Sequence, residues 1–424
     1  MAQPNFAVPV PQRPQNVDRT KRSWPIGFAI AAVVIFIFYS FILPYLTPDI
    51  RTVVQHWMPL GTINTALIWA MSALGLNIVV GYAGLLDLGY VAFWALGGYA
   101  AAWLMSYFVP VSAINILGNA APGTKTGLHL NILLVLIGAA AFCALFGVII
   151  GAPTLRLRSD YLALVTLGFG EIIPQIFKNG DDFFGHNISN GTQSIGPIDA
   201  VEGVTARTTV VAGVAQHTDV GWGDLLAFDH SGRFIMFTLL TALIIFISLR
   251  IRQGRLGRAW LAIREDELAA SAMGVPLMRA KLAAYAVGAV AGGICGVAYA
   301  LQLNRMLPDP FTFSVSITLL AMVVLGGMGN VWGVLVGALL IAWFNSTGLP
   351  EIGDTVNGTF GTNIDFPSYS FLIFGGTLVI MMLFRREGLL PERRTRLVLH
   401  EGAAGDTQAE EPDEELVDQA GAVK

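Results

Sequence analysis

The sequence predicts an all-α polytopic membrane protein of about ten transmembrane helices, with both termini cytoplasmic. Three observations lead there. Of 424 residues, 54% are hydrophobic and only 13% are charged, against roughly 25% charged in soluble domains. Mean hydropathy is +0.63, and many apolar runs reach the ~20 residues that cross a hydrocarbon core of ~30 Å as helix. The charges are segregated into the intervals between those runs.

The first run, Trp24–Leu46, is too long for a signal h-region and is read as a retained helix. The predicted spans cover roughly 24–46, 59–80, 88–108, 129–152, 160–178, 234–250, 279–303, 314–328, 331–347 and 369–384. Residues 1–23 form an expected disordered tail ending in Arg19, Lys21 and Arg22. A membrane-spanning body follows over 24–398, and the acidic, aromatic-free 399–424 is a second expected disordered tail.

Orientation follows from the basic residues. With a cytoplasmic N-terminus, ten spans place Arg156, Arg158, Arg250, Arg252, Arg255, Arg258, Arg264, Arg279, Lys281, Arg385, Arg386, Arg393, Arg394 and Arg396 inside. The opposite side receives segment 179–232, with Asp181, Asp182, Asp199, Glu202, Asp219, Asp224 and Asp229 against Arg207. It also receives loop 348–367, with Glu351, Asp354 and Asp365. An odd number of spans would break this agreement. Alternation in "VEGVTARTTVVAGV" predicts a hairpin inside 179–232, and Asn187 and Asn190 head triplets best read as plain loop asparagines. Cys143 and Cys295 lie within apolar spans and read as small buried hydrophobes.

No nucleotide loop with a lysine, HExxH or GxSxG constellation is present, and no His/Asp/Glu cluster suits a membrane-embedded enzyme. The stretch "GYAGLLDLGYVAFWALGGYA" carries Gly81, Gly84 and Gly89 around Asp87. A phosphate-binding glycine loop needs a preceding strand, and here membrane-length helices flank it. The glycines therefore read as a helix break or a close-packing surface. Asp87 either faces an aqueous path or caps a helix through Tyr90 or a neighbouring N–H. A second cluster, "VVLGGMGNVWGVLVGALL", places Gly326, Gly327, Gly329, Gly333 and Gly337 between two short spans. Breaks in two parts of a transporter point to a translocation path. Glu171 either lines a vestibule or reaches the interface. With Asp87 it is the sole candidate for the rival class, an ion-coupled secondary transporter.

The stretch 251–278 lies on the side assigned as cytoplasmic. Trp260, Leu261, Ile263, Leu268, Ala269 and Met273 form an apolar stripe near helical period beside Arg264, Glu265, Asp266 and Glu267, ended by Gly274 and Pro276. The acidic residues disfavour an anionic lipid surface and favour a protein partner.

"LNIVVGYAGLLDLGYVAFWALGGYAA", beginning at Leu76 and Asn77, resembles the signature of the branched-chain amino acid ABC permease family, LivM type. "PTLRLRSDYLALVTLGFGEI", "GRAWLAIREDELAASAMGV", "LGGMGNVWGVLVGA" and "FRREGLLPERR" are similar to its other segments, in the same order over about 60–395. The resemblance implies a non-enzymatic transport subunit of an importer in the bacterial cytoplasmic (inner) membrane. It implies two cytoplasmic ATPase subunits that carry ATP and Mg, a LivH-like sister permease and an external or periplasmic solute-binding protein. It implies no cofactor on this chain and no nucleic-acid partner. It also implies a coupling role for Arg258, Glu265, Asp266, Glu267, Ala270 and Gly274, with Ala269 part of the same motif. The implied path comprises Asn77, Gly81, Gly84, Asp87, Gly89, Gly326, Gly327 and Gly329. One departure is "ISNGTQSIGPI", where Asn190 replaces the first glycine of the family's pattern. Related permeases carry urea or short amides, which leaves the substrate open.

Overall fold

The computed structural model describes residues 17–111, 114–116, 126–157, 159–199, 208–211, 214–217, 230–361, 364–385 and 388–390. The expected tails before Val17 and beyond Leu390 lie outside these residues, as does Arg386. The chain divides into two units, Met1–Arg51 and Thr52–Lys424.

In the first unit, α1 (Val17–Ile37) begins ahead of Trp24, inside the segment expected as a tail. It runs into a π turn, Phe38–Ile42, and a short 3-10 turn, Leu43–Tyr45. Ile26, Ile30, Val33 and Val34 are exposed along it, as suits a helix surrounded by hydrocarbon. Helix α2 (Pro48–Trp57), absent from the expected spans, begins in the first unit and continues past Arg51 into the second.

The second unit carries α3 (Leu60–Leu76), α4 (Val91–Leu104), α5 (Ile132–Thr154), α6 (Ser159–Lys178) and α7 (His230–Gln253). Two short helices, α8 (Arg255–Glu265) and α9 (Glu267–Ala272), lead to α10 (Leu277–Leu303). Then come α11 (Phe313–Gly326), α12 (Val331–Trp343), α13 (Leu349–Phe360) and α14 (Ser370–Phe384). A helix overlaps each predicted span. Among the described residues, six stretches are long and apolar enough to cross a membrane: Pro48–Tyr82, Ile132–Thr154, Gly232–Gln253, Leu277–Leu303, Val331–Phe360 and Phe366–Phe384. Trp24–Ile37, Val91–Leu104 and Phe313–Gly326 are apolar but shorter.

Most of 348–367, expected as a loop, is helix α13. Leu349 and Gly353 are its buried positions, one turn apart, and Glu351 and Asp354 lie between and beyond them. A short amphipathic helix has low mean hydropathy, so a search for apolar runs passes over it. The α4–α5 connection holds a small sheet of β1 (Met105–Ser106), β2 (Ile114–Ile116) and β3 (Leu128–Leu130). Strand β3 is central, antiparallel to β1 and parallel to β2. The hairpin expected in 179–232 is present as antiparallel β4 (Thr208–Val211) and β5 (Val214–His217).

Helix α10 is the centre of the second unit, packed against α3, α4 and α5. Its small residues let backbones meet: a Cβ on Gly97 of α4 would lie 2.2 Å from the Gly293 carbonyl oxygen. Without a hydrophobic force between helices in lipid, such close packing supplies much of the association energy. Cys143 and Cys295 are buried and unbridged, as expected.

Candidate functional site

Both glycine breaks lie at one end of the second unit, where α8 and α9 also sit. The end of α3 widens into a π helix, Asn77–Tyr82, and residues 83–90 are non-helical before α4 begins at Val91. Wide turns of this kind are frequent at functional sites. The second break is the turn 327–330 between α11 and α12, with Gly327 at φ +109° and Gly329 at φ +88°. Asn330 caps α12 by accepting from Trp332 N at 3.2 Å.

One side chain joins the two breaks. Asn77 Oδ1 accepts from the backbone N–H of Gly329 at 2.9 Å. Gly81 lies directly under this bond: a Cβ there would sit 2.0 Å from Asn77 Oδ1 and 2.7 Å from Gly329 N. The Gly81 carbonyl in turn accepts from Arg264 Nη1 of α8 at 2.5 Å. Thus two hydrogen bonds, Arg264 to Gly81 and Gly329 to Asn77, meet where Gly81 packs closely against Asn77. A guanidinium bond to a carbonyl contributes about 1.5–3 kcal/mol net, more than a neutral pair. The Arg264 stem also lies over Gly84, whose φ of +68° disfavours a side chain and whose Cβ would be 3.0 Å from Arg264 Cγ.

The elbow between α8 and α9 corrects the expected single amphipathic stripe. Asp266 adopts φ −154° and ψ 114° and breaks the helix. Its carboxylate caps α9, accepting from Leu268 N at 2.8 Å and Ala269 N at 3.0 Å. An aspartate N-cap contributes about 1 kcal/mol, enough to favour a restart over continuation. The stripe is divided: Trp260 and Ile263 are buried, while Leu268 and Met273 are 80% and 85% exposed. Trp260 Nε1 donates to Ala280 O at 2.7 Å and anchors α8 to α10. Arg258 is exposed and donates to Gln253 O, Glu265 is exposed, and Ala270 is buried under the elbow. Gly274 closes α9 at φ +82° with open space around it. Glu267 pairs with Lys281 Nζ at 2.5 Å; the lysine side chain is 8% exposed and the glutamate 50%.

Asp87 is buried, at 1% exposure. Its Oδ1 accepts from Gly89 N at 2.9 Å, which closes the turn ahead of α4 rather than capping the first turn of the helix. Oδ2 lacks a hydrogen-bond partner of good geometry, although Tyr285 and Thr166 approach the carboxylate. Asn77 Nδ2 is a second buried polar atom left without a partner. Gly89 packs on α6, where a Cβ would meet Thr166 O at 1.9 Å, and Gly326 packs on Gly333 O at 2.4 Å. Glu171 is exposed and accepts from Phe313 N, at the start of α11, at 3.0 Å.

Four participants were missed from the sequence. Lys281 was counted only as a basic loop residue. Asn330 carries a legible signal, an N-cap type directly before an apolar run. Leu389, in the "REGLL" stretch, donates from its backbone to Leu325 O at 2.8 Å, and Leu390 O accepts from Asn330 Nδ2 at 2.8 Å. This return onto the second break has no local signal. At the opposite end His129 Nδ1 meets Asp199 Oδ2 at 2.7 Å. Burial pushes the Asp199 carboxyl up from its ordinary value, and the His129 contact pulls it part of the way back. Asn190 adopts φ +64°. The family's glycine fits that left-handed position without strain, and asparagine is among the few other residues that tolerate it.

A family model described as branched-chain amino acid transport system, permease component, matches residues 58–382. The chain belongs to this permease family. The permease is 35% identical over 391 residues to the high-affinity branched-chain amino acid transport system permease protein LivM of Escherichia coli (strain K12). That match covers 90% of the chain and 79% of the relative. It is 26% identical over 363 residues to the probable branched-chain amino acid transport permease protein LivM of Methanocaldococcus jannaschii, covering 79% of the chain and 95% of the relative. No solved structure matches the permease. The family is the one its motifs suggested, and a multi-pass membrane protein is what its apolar helices and its relatives support.

Proposed function

We propose that this permease is one of two membrane subunits of an ATP-driven importer and supplies half of the path for branched-chain amino acids. ATP and Mg reside on two partner ATPases at the cytoplasmic face, the sister permease is LivH-like, and a solute-binding protein delivers substrate from outside. Ten spans put both termini in the cytoplasm of a bacterial inner membrane, and nucleic acid plays no part. Substrate identity rests on the relatives, whose names specify branched-chain amino acid transport.

The observation that carries the mechanism is the Arg264–Gly81 hydrogen bond, continued by Asn77 to Gly329. Exposed Leu268 and Met273 are the apolar knobs an ATPase would grip, ringed by Glu265, Asp266 and Arg258. Movement of α9 turns α8 through the shared elbow, and α8 pulls on the Gly81 carbonyl. Because Asn77 spans both turns, the two breaks move together, which suits alternation between outward and inward openings. Asn77, Gly81, Gly84, Asp87, Gly89, Gly326, Gly327 and Gly329 are then the residues at which the path changes shape.

Reconstitution with ATPases and binding protein tests this reading. Uptake of labelled leucine, isoleucine or valine should require ATP and compete poorly with urea or short amides. Uptake by the membrane subunits without ATP would overturn the importer in favour of an ion-coupled carrier. Competition by urea alone would reassign the substrate.

A further inference from the structure

A pocket of about 190 Å³ opens beside the α8–α9 elbow; it shares Arg264 with the bond to Gly81 and does not include the exposed apolar knobs Leu268 and Met273. Arg264, Glu267 and Lys281 give it two cationic groups and one anionic group, and Leu155, Leu157 and Leu162 give it hydrocarbon. The backbone turn 83–85 completes the lining. Lys281 is built in: its side chain is 8% exposed and its ammonium reaches Glu267 Oε1 at 2.5 Å. A lysine ammonium has three donors, so the Glu267 bond leaves donor capacity for a ligand carboxylate. Leu155 and Leu162 are buried at 4% and 2% exposure, and Leu157, at 42%, stands at the mouth.

Size and chemistry restrict the occupant. The volume is below the ~300 Å³ where sites for drug-sized ligands begin. It equals roughly six water volumes at ~30 Å³ each, which suits one small amino acid and excludes a peptide or nucleotide. Paired opposite charges match an ammonium and a carboxylate on one carbon, and the leucines match a short branched hydrocarbon.

We propose that this pocket binds a free α-amino acid with a branched apolar side chain from the cytoplasmic side, and that its occupancy holds the elbow against the 83–85 turn and slows import. The transported product would then restrain its own entry. This rests on the substrate and orientation given under the proposed function.

The test uses the whole importer in liposomes, with ATP inside and binding protein outside. Luminal leucine should lower the initial rate of labelled leucine uptake several-fold. Luminal glycine, lacking the hydrocarbon, and luminal phosphate should leave it unchanged. Leu157→Asp places a carboxylate at the pocket mouth; it should retain uptake and lose the inhibition. Calorimetry of leucine against the detergent-solubilised importer without binding protein should show a site that Leu157→Asp removes. Three results overturn the proposal: no effect of luminal leucine on the wild type, equal inhibition in Leu157→Asp, or equal inhibition by phosphate. Equal inhibition in the variant would place the product in the path itself, and inhibition by phosphate would make the pocket a simple anion site. Absence of uptake even without luminal leucine would instead count against the proposed function, and the calorimetric arm would still decide the pocket.

Discussion

The side chain of Asn77, at the end of α3, accepts a hydrogen bond from the backbone N–H of Gly329, in the turn between α11 and α12. These residues lie far apart in sequence, yet this bond ties the two glycine breaks together. Replacing Asn77 with leucine leaves a buried N–H without an acceptor, which costs about 1–3 kcal/mol. Asn77→Leu should therefore lose most uptake at a normal membrane level. Asn77→Asp keeps an acceptor and should retain more. Uptake normalised to immunodetected membrane protein checks both, and equal activity of Asn77→Leu and wild type would dismiss the link.

Arg264 tests transmission separately from assembly. Arg264→Gln loses the charge-assisted bond to Gly81 O, about 1.5–3 kcal/mol, or roughly ten-fold or more in a coupled step. ATP hydrolysis by the assembled complex should persist while substrate moved per ATP falls. A matched decline in hydrolysis and uptake would mean that Arg264 supports docking alone.

Gly81 and Gly274 should behave oppositely on alanine substitution. At Gly81 the added Cβ would be 2.0 Å from Asn77 Oδ1, so Gly81→Ala must expel Asn77 from its bond. At Gly274 nothing lies within 4 Å and only the φ of +82° is unfavourable, a penalty of about 1–2 kcal/mol. Uptake should collapse in the first and fall modestly in the second. Gly274→Trp adds bulk at an exposed surface, so it should abolish uptake by obstructing the ATPase while α3 and α10 stay packed. Pull-down of the ATPase from membranes distinguishes obstruction from internal damage.

Glu267 balances a lysine that is almost wholly enclosed. Glu267→Arg sets two cations against each other and should abolish uptake while leaving protein in the membrane. Glu267→Gln keeps an acceptor for Lys281 Nζ and should preserve a measurable fraction. Wild-type transport in Glu267→Arg would remove the elbow from the mechanism.

Asp87→Asn keeps an oxygen for the Gly89 N–H and removes the charge. Normal insertion with slowed uptake is the expected result, because the amide presents a donor where the carboxylate offered an acceptor to Tyr285. Unchanged uptake would leave Asp87 with a purely structural turn to close.

The sequence by itself determined the membrane class, the order of the long apolar helices and both glycine breaks. Each is local: apolar length sets a span, and glycine beside asparagine or aspartate sets a turn. The Asp266 cap was readable in the same way, since a capping residue precedes Leu268 and Ala269, although the apolar stripe concealed it. Only the tertiary structure decided that Arg264 reaches Gly81, that Asn77 reaches Gly329, that Lys281 lies enclosed beside Glu267, and that Leu389 returns to Leu325. Those pairings depend on how α3, α8, α10 and α11 pack in three dimensions. Hydropathy specifies that a helix is buried in lipid or protein; close contact between small residues and satisfaction of buried polar groups specify which helix it meets.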